Sequence, residues 1–176
     1  MAIKPTIYKI RVSLSDLNRD YYDTLSLTLA QHPSETLERM MARVLAYCIN
    51  AETNLSFTKG LSSVDEPDIW LRELDDSITL WIDVGEPSLD RVKKSSRSAS
   101  TLKVYSFNSK SDVWWQQDRN KFITYNASYF QFQWSDIQLL ASLVERTMDC
   151  SITITGESAF IATNKGECEV TWKTLT

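Results

Sequence analysis

Residues 67–85 read PDIWLRELDDSITLWIDVG, and this stretch, with the elements on either side of it, decides the fold. Two strands are predicted, over 69–74 and 78–84, with polar Asp75-Asp76-Ser77 between them. The second puts Ile78, Leu80, Ile82 and Val84 on one face and Thr79, Trp81 and Asp83 on the other, the period of two that a strand requires. Asp68 precedes the first strand, and Asp83 lies near the end of the second, fifteen positions later. Antiparallel neighbours joined by a short turn bring two such carboxylates within bridging distance of one cation.

Upstream, residues 6–14 and 21–30 alternate apolar and polar positions around the turn Ser15–Arg19, predicting an N-terminal β-hairpin. A helix is predicted to open at Pro33-Ser34, with Glu35 and Glu38 in its first turns and Leu37, Met40, Met41, Val44, Leu45 and Cys48 as its apolar stripe. Glu35 is expected to serve the positive helix N-terminus, and Glu38 falls at the edge of the stripe. A short strand at 55–59 follows. Downstream come a helix over 88–98, a strand at 102–107, a short helix or turn at 112–119, strands at 122–126 and 129–133, and a helix with Ser135 and Gln138 at capping-box spacing. A three-stranded meander with turns at Gly156-Glu157 and Asn164–Gly166 ends the chain. The fold class is α/β (mixed α+β), in one domain over residues 1–176.

Composition narrows the chemistry. The four glycines stand alone at 60, 85, 156 and 166, so no P-loop or dinucleotide fingerprint can be written. One histidine, His32, is too few for a multi-histidine zinc site. Cys48, Cys150 and Cys168 are scattered and fit neither a disulfide framework nor a CxxC pair. With no apolar leader in MAIKPTIYK and no long apolar run, a cytoplasmic protein with no membrane partner is expected, and a monomer.

Charge is uneven along a chain of net charge −4. From Asp65 to Asp90 there are nine acids and one base; from Arg91 to Ser111 there are six bases and no acid. One reading is a solvated acidic loop followed by an ordinary basic helix face. The other is a carboxylate cluster for a hard divalent cation beside a cationic surface for phosphates. In that second reading DNA or RNA contacts rest on Arg91, Lys94, Arg97 and Lys103, with Trp115 and Gln116 of the WWQQ stretch stacking on and hydrogen-bonding a base.

Pro67-Asp68 and Asp83-Val84-Gly85 resemble the PD-(D/E)xK nuclease signature, except that Gly85 stands where the signature has lysine. Some proteins with that signature place the lysine on the following helix, where this chain has Arg91-Val92-Lys93-Lys94. A closer resemblance runs through HPSETLERMM (32–41), DEP (65–67), LWIDVGEP (80–87), RVKKS (91–95), VYSFNS (104–109) and WWQQ (114–117), which look like the blocks of the bacterial YaeQ family in family order. That resemblance implies a restriction-endonuclease-like core, α-β-β-β-α-β, with an N-terminal hairpin and a C-terminal antiparallel β extension.

By carry-over, Asp68, Asp83 and the Val84 carbonyl would hold Mg²⁺ or Mn²⁺. Lys93 or Lys94 would be the displaced catalytic lysine, and Glu38 an additional acid. Helical spacing puts Lys93 on the border of the apolar face of its helix and Lys94 directly outward. Two functions are compatible with this reading. One is a metal-dependent nuclease-like phosphodiesterase. The other is a non-catalytic protein of the same fold that binds nucleic acid or a protein, in a transcription-related role.

Overall fold

A computed structural model describes residues 4–59 and 64–176. The hairpin forms as expected, with β1 (Thr6–Asp16) and β2 (Tyr21–Gln31) antiparallel in an uninterrupted register. Helix α1 (Leu37–Ile49) starts later than Pro33-Ser34, because the Thr36 hydroxyl accepts from the Arg39 N–H and caps it. Glu35 therefore stands outside the helix.

Next come β3 (Leu55–Phe57), β4 (Ile69–Arg72), β5 (Ile78–Val84), α2 (Leu89–Ser98) and β6 (Ala99–Ser106). Strands β3, β4 and β5 form an antiparallel meander, and α2 crosses over to make β6 parallel to β5. The β4–β5 register shifts at Leu71/Arg72, so Ile78 packs with Trp81, while Leu80, Ile82 and Val84 enter the main core.

Helix α3 (Ser111–Phe122) is longer than the expected turn and absorbs the start of the strand predicted at 122–126; only β7 (Ala127–Phe132) forms in that region. In α4 (Trp134–Ser142) Ser135 lies inside the first turn and no side chain caps the helix, so the capping box is not made. Asp136 instead accepts from the N–H and hydroxyl of Thr171, each at 3.0 Å. The closing meander is β8 (Thr147–Thr155), β9 (Ser158–Thr163) and β10 (Gly166–Leu175).

All ten strands join one sheet in the order β2-β1-β8-β9-β10-β7-β6-β5-β4-β3. The sheet is barrel-like and nearly closed. Its main core holds α1, whose residues Met40 to Ala46 are all buried. A second core, of Trp81, Val92, Leu102, Val104, Trp115, Phe122 and Tyr129, lies under α2 and α3. Alternation along β5 and β6 feeds both.

Candidate functional site: an arginine-filled carboxylate cleft

Beyond the pair Ile69–Ile82, the β4–β5 register places Asp68 opposite Asp83 at the end of the sheet. Asp68 is tied there through its own N–H, which donates to the Ile82 carbonyl at 3.0 Å. The chain then turns at Gly85, whose φ of +129° is one that L side chains rarely adopt, and its N–H donates to the Tyr105 carbonyl. Pro87 and the Ser88 N-cap start α2, which brings Arg91 back over the strand ends. From the other side α1 contributes Arg39. Together these elements enclose a cleft of about 390 Å³ that contains both carboxylates.

Both carboxylates are already bound by guanidinium groups. Asp68 accepts from the Val84 N–H at 2.8 Å and from Arg39 Nη2 at 2.6 Å. The same Nη2 donates to the Val84 carbonyl at 3.2 Å, and Arg39 Nη1 donates to Glu35 Oε2. Arg43 holds Glu35 through two further bonds, of 2.9 and 2.7 Å. Asp83 receives Arg91 on both oxygens, at 2.9 and 3.0 Å, and Trp81 Nε1 at 3.1 Å. Arg91 also donates to the carbonyls of Val64 and Glu66, fastening that loop to α2.

The electrostatics follow from burial. Burial pushes the Asp83 carboxyl above its ordinary range, opposed by the bonds and charge of Arg91 and reinforced by the charge of Asp68. Burial works against the Arg39 cation, but Asp68 and Glu35 outweigh it and raise its pKa. Glu86, also in the cleft, is raised by burial, with the Phe107 and Asn108 backbone N–H groups opposing.

The other expected site residues are dispersed. Glu38 lines a separate depression between α1 and α4, with Gln138 and Ser142. The acid that reaches the cleft network is Glu35, because the later helix start places its carboxylate against Arg39 and Arg43. Lys93, Lys94 and Arg97 are exposed on α2, and Lys94 pairs with Asp65 at 3.1 Å. None of the three lines the cleft. Lys103 points to the α1 side, where its Nζ donates to Asn50 Oδ1 at 2.7 Å and burial lowers its pKa. It therefore cannot share a surface with α2. Trp115 is 7% exposed and stacks on Phe122 at 5.7 Å, so its ring belongs to the core and offers no face to a base; Gln116 is exposed.

Sequence reading missed Arg39 and Glu86 as cleft residues, and Glu35 and Arg43 as the ion-pair network behind Arg39. A usable signal was the spacing of four between Glu35, Arg39 and Arg43, which sets an acid just before the helix below two bases that share one of its faces.

Solved and curated relatives place this geometry in a family. The family model for "YaeQ protein" matches residues 1–172. The chain belongs to the YaeQ family. It is 39% identical over 172 residues to "Uncharacterized protein YaeQ" of Escherichia coli strain K12 and equally to that of Shigella flexneri, covering 97% of this chain and 95% of each relative. The crystal structure of YaeQ protein from Xanthomonas axonopodis pv. citri superposes with a TM-score of 0.93 at 33% identity, covering 97% of each chain. That from Pseudomonas syringae superposes at 0.92 and 34%, covering 98% of this chain and 96% of its own.

In this YaeQ chain the atoms that a divalent ion would require are Asp68, Asp83 and the Val84 carbonyl. All three accept from Arg39 or Arg91, and among the described residues no group of three or more His, Cys, Asp or Glu side chains is arranged to hold a metal ion. As arranged, these residues do not fit the metal.

Proposed function

We propose that this YaeQ protein is a non-catalytic nucleic-acid-binding protein on a nuclease-like scaffold, in which arginines neutralise the carboxylates that a nuclease would use for metal. The element order α1-β3-β4-β5-α2-β6, an antiparallel meander followed by one parallel crossover, supports the scaffold reading. The observation that carries the non-catalytic reading is that Arg39 and Arg91 together bond all three would-be ligands. A divalent ion would have to displace two guanidinium groups that are held on several sides, one of them mostly buried.

Binding is assigned to α2, whose exposed Lys93, Lys94 and Arg97 form a cationic ridge beside the cleft. The cleft itself does not suit phosphate, because the acids that line it, Glu66, Asp68, Asp83 and Glu86, outnumber the bases Arg39 and Arg91. Contacts to phosphate alone give affinity without sequence choice and a steep salt dependence.

Fluorescence anisotropy with labelled single- and double-stranded DNA and RNA, across a salt series, tests this, alongside cleavage assays in Mg²⁺ and Mn²⁺. The expected result is salt-dependent binding, lost in K93E/R97E, with no cleavage. Cleavage that Asp83→Asn abolishes would restore the nuclease reading. Absence of nucleic-acid binding would turn the proposal toward a protein partner.

A further inference from the structure

Residues Val64, Asp65 and Glu66 form a strap against α2. Arg91 Nη1 donates to the Val64 carbonyl at 2.8 Å and Nη2 to the Glu66 carbonyl at 2.9 Å, so the backbone is pinned on both sides of Asp65. Arg91 is itself fixed by both oxygens of Asp83. Three positions further along α2, Lys94 Nζ donates to Asp65 Oδ1 at 3.1 Å. The acidic stretch and the basic helix thus meet through one charge pair.

Both side chains of that pair are largely exposed, so a ligand on α2 reaches them. Exposed pairs are weak mainly because two mobile side chains must be held in one geometry. Here Arg91 has already ordered the backbone that carries Asp65, which lowers that cost.

Lys94 also passes over a nearer partner. Asp90 stands four positions before it on α2, the spacing at which helical charges pair, yet Asp90 is exposed and forms no ion pair among the described residues. Lys93 and Arg97 form none either. Of the three cations assigned to nucleic acid, Lys94 alone already carries an anion, and the strap supplies it.

We propose that Asp65 makes an autoinhibitory contact: its carboxylate takes the place of a backbone phosphate on Lys94, and a nucleic acid must displace it to engage all three cations of α2. This inference rests on the assignment of nucleic-acid binding to α2 and adds its regulation. A lone phosphate gains nothing by exchanging one anion for another at Lys94. An extended phosphate backbone does gain, because Lys93 and Arg97 hold it beside Lys94 and raise its effective concentration there. The strap therefore favours a polyanion over a mononucleotide.

Fluorescence anisotropy with labelled single- and double-stranded DNA and RNA, across a salt series, compares wild type with Asp65→Asn. Asp20→Asn is the charge control: it changes net charge equally, at an exposed position of the β1–β2 turn whose φ of 52° asparagine tolerates. The expected result is binding by Asp65→Asn roughly two- to fivefold tighter than wild type at low salt, the range set by an exposed ion pair. Its salt slope should be steeper by about 0.7–0.9, as for one further phosphate contact. Asp20→Asn should match wild type, and in a Lys94→Gln background Asp65→Asn should add no more than Asp20→Asn does. An Asp65→Asn affinity equal to that of wild type or of Asp20→Asn, or a gain that persists in Lys94→Gln, overturns the inference. Those outcomes leave the α2 assignment standing where K93E/R97E loses binding. Binding that K93E/R97E leaves intact, or that is absent from wild type and Asp65→Asn alike, overturns both.

Discussion

Arg91 grips Asp83 through both carboxylate oxygens, Nε to Oδ2 at 2.9 Å and Nη2 to Oδ1 at 3.0 Å, with the carboxylate side chain only 4% exposed. A two-point guanidinium–carboxylate bond is the strongest arrangement these groups make. Here it also ties the end of β5 to α2 and, through the Val64 and Glu66 carbonyls, to the loop before β4.

Asp83→Asn should therefore destabilise the fold, by about 2 kcal/mol, between the values for exposed and for fully buried pairs, because Arg91 is partly solvated. Urea titration of D83N, R91Q and the double variant measures the coupling. The double variant should lose less than the sum of the singles; strict additivity would mean the pair contributes nothing of its own.

Arg39 should matter more. Arg39→Met leaves Glu35 with Arg43 alone and Asp68 with only the Val84 N–H, at a cost of about 3–5 kcal/mol. Thermal or urea unfolding of R39M against R91Q checks the order. A smaller loss for R39M would show that solvent reaches Asp68 freely.

The pH dependence has a definite sign. The carboxyls of Asp83 and Glu86 are raised by burial, so in the folded chain they hold protons to higher pH than in the unfolded chain. Their contribution to stability is full below the ordinary carboxylate range and is lost as pH rises through their raised values. Glu86→Gln keeps an acceptor for the Phe107 N–H and removes one of the two titrations. It should raise stability at neutral pH and flatten the slope above pH ~4, measured as unfolding free energy against pH. An unchanged slope would mean that Glu86 does not contribute to it.

Trp115→Ala should act through packing. The ring fills the second core against Phe122 and Tyr129, and its removal should cost about 3–5 kcal/mol. Under conditions where the variant is folded, its affinity for nucleic acid and its salt slope should match wild type. A selective loss of binding at intact stability would return Trp115 to the interface.

Sequence periodicity by itself determined the hairpin, α1, the β3-β4-β5 meander, α2 and the closing meander, because each depends on local alternation or helical spacing. It also singled out Asp68 and Asp83, which a short antiparallel connection necessarily brings to one sheet end. Boundaries went astray where a cap or a tertiary bond decided them: Thr36 moved the start of α1, and aromatic packing extended α3 through Phe122. Only the tertiary structure decided what the carboxylates face. Arg39 and Asp68 are 29 positions apart, and no local pattern relates them. Lys103, which sequence grouped with the basic helix, was sent to the α1 side by strand alternation. A carboxylate in sequence is a potential metal ligand. Desolvation in the folded cleft forces it to take a countercharge, and which one it takes depends on the elements that the sheet order brings alongside.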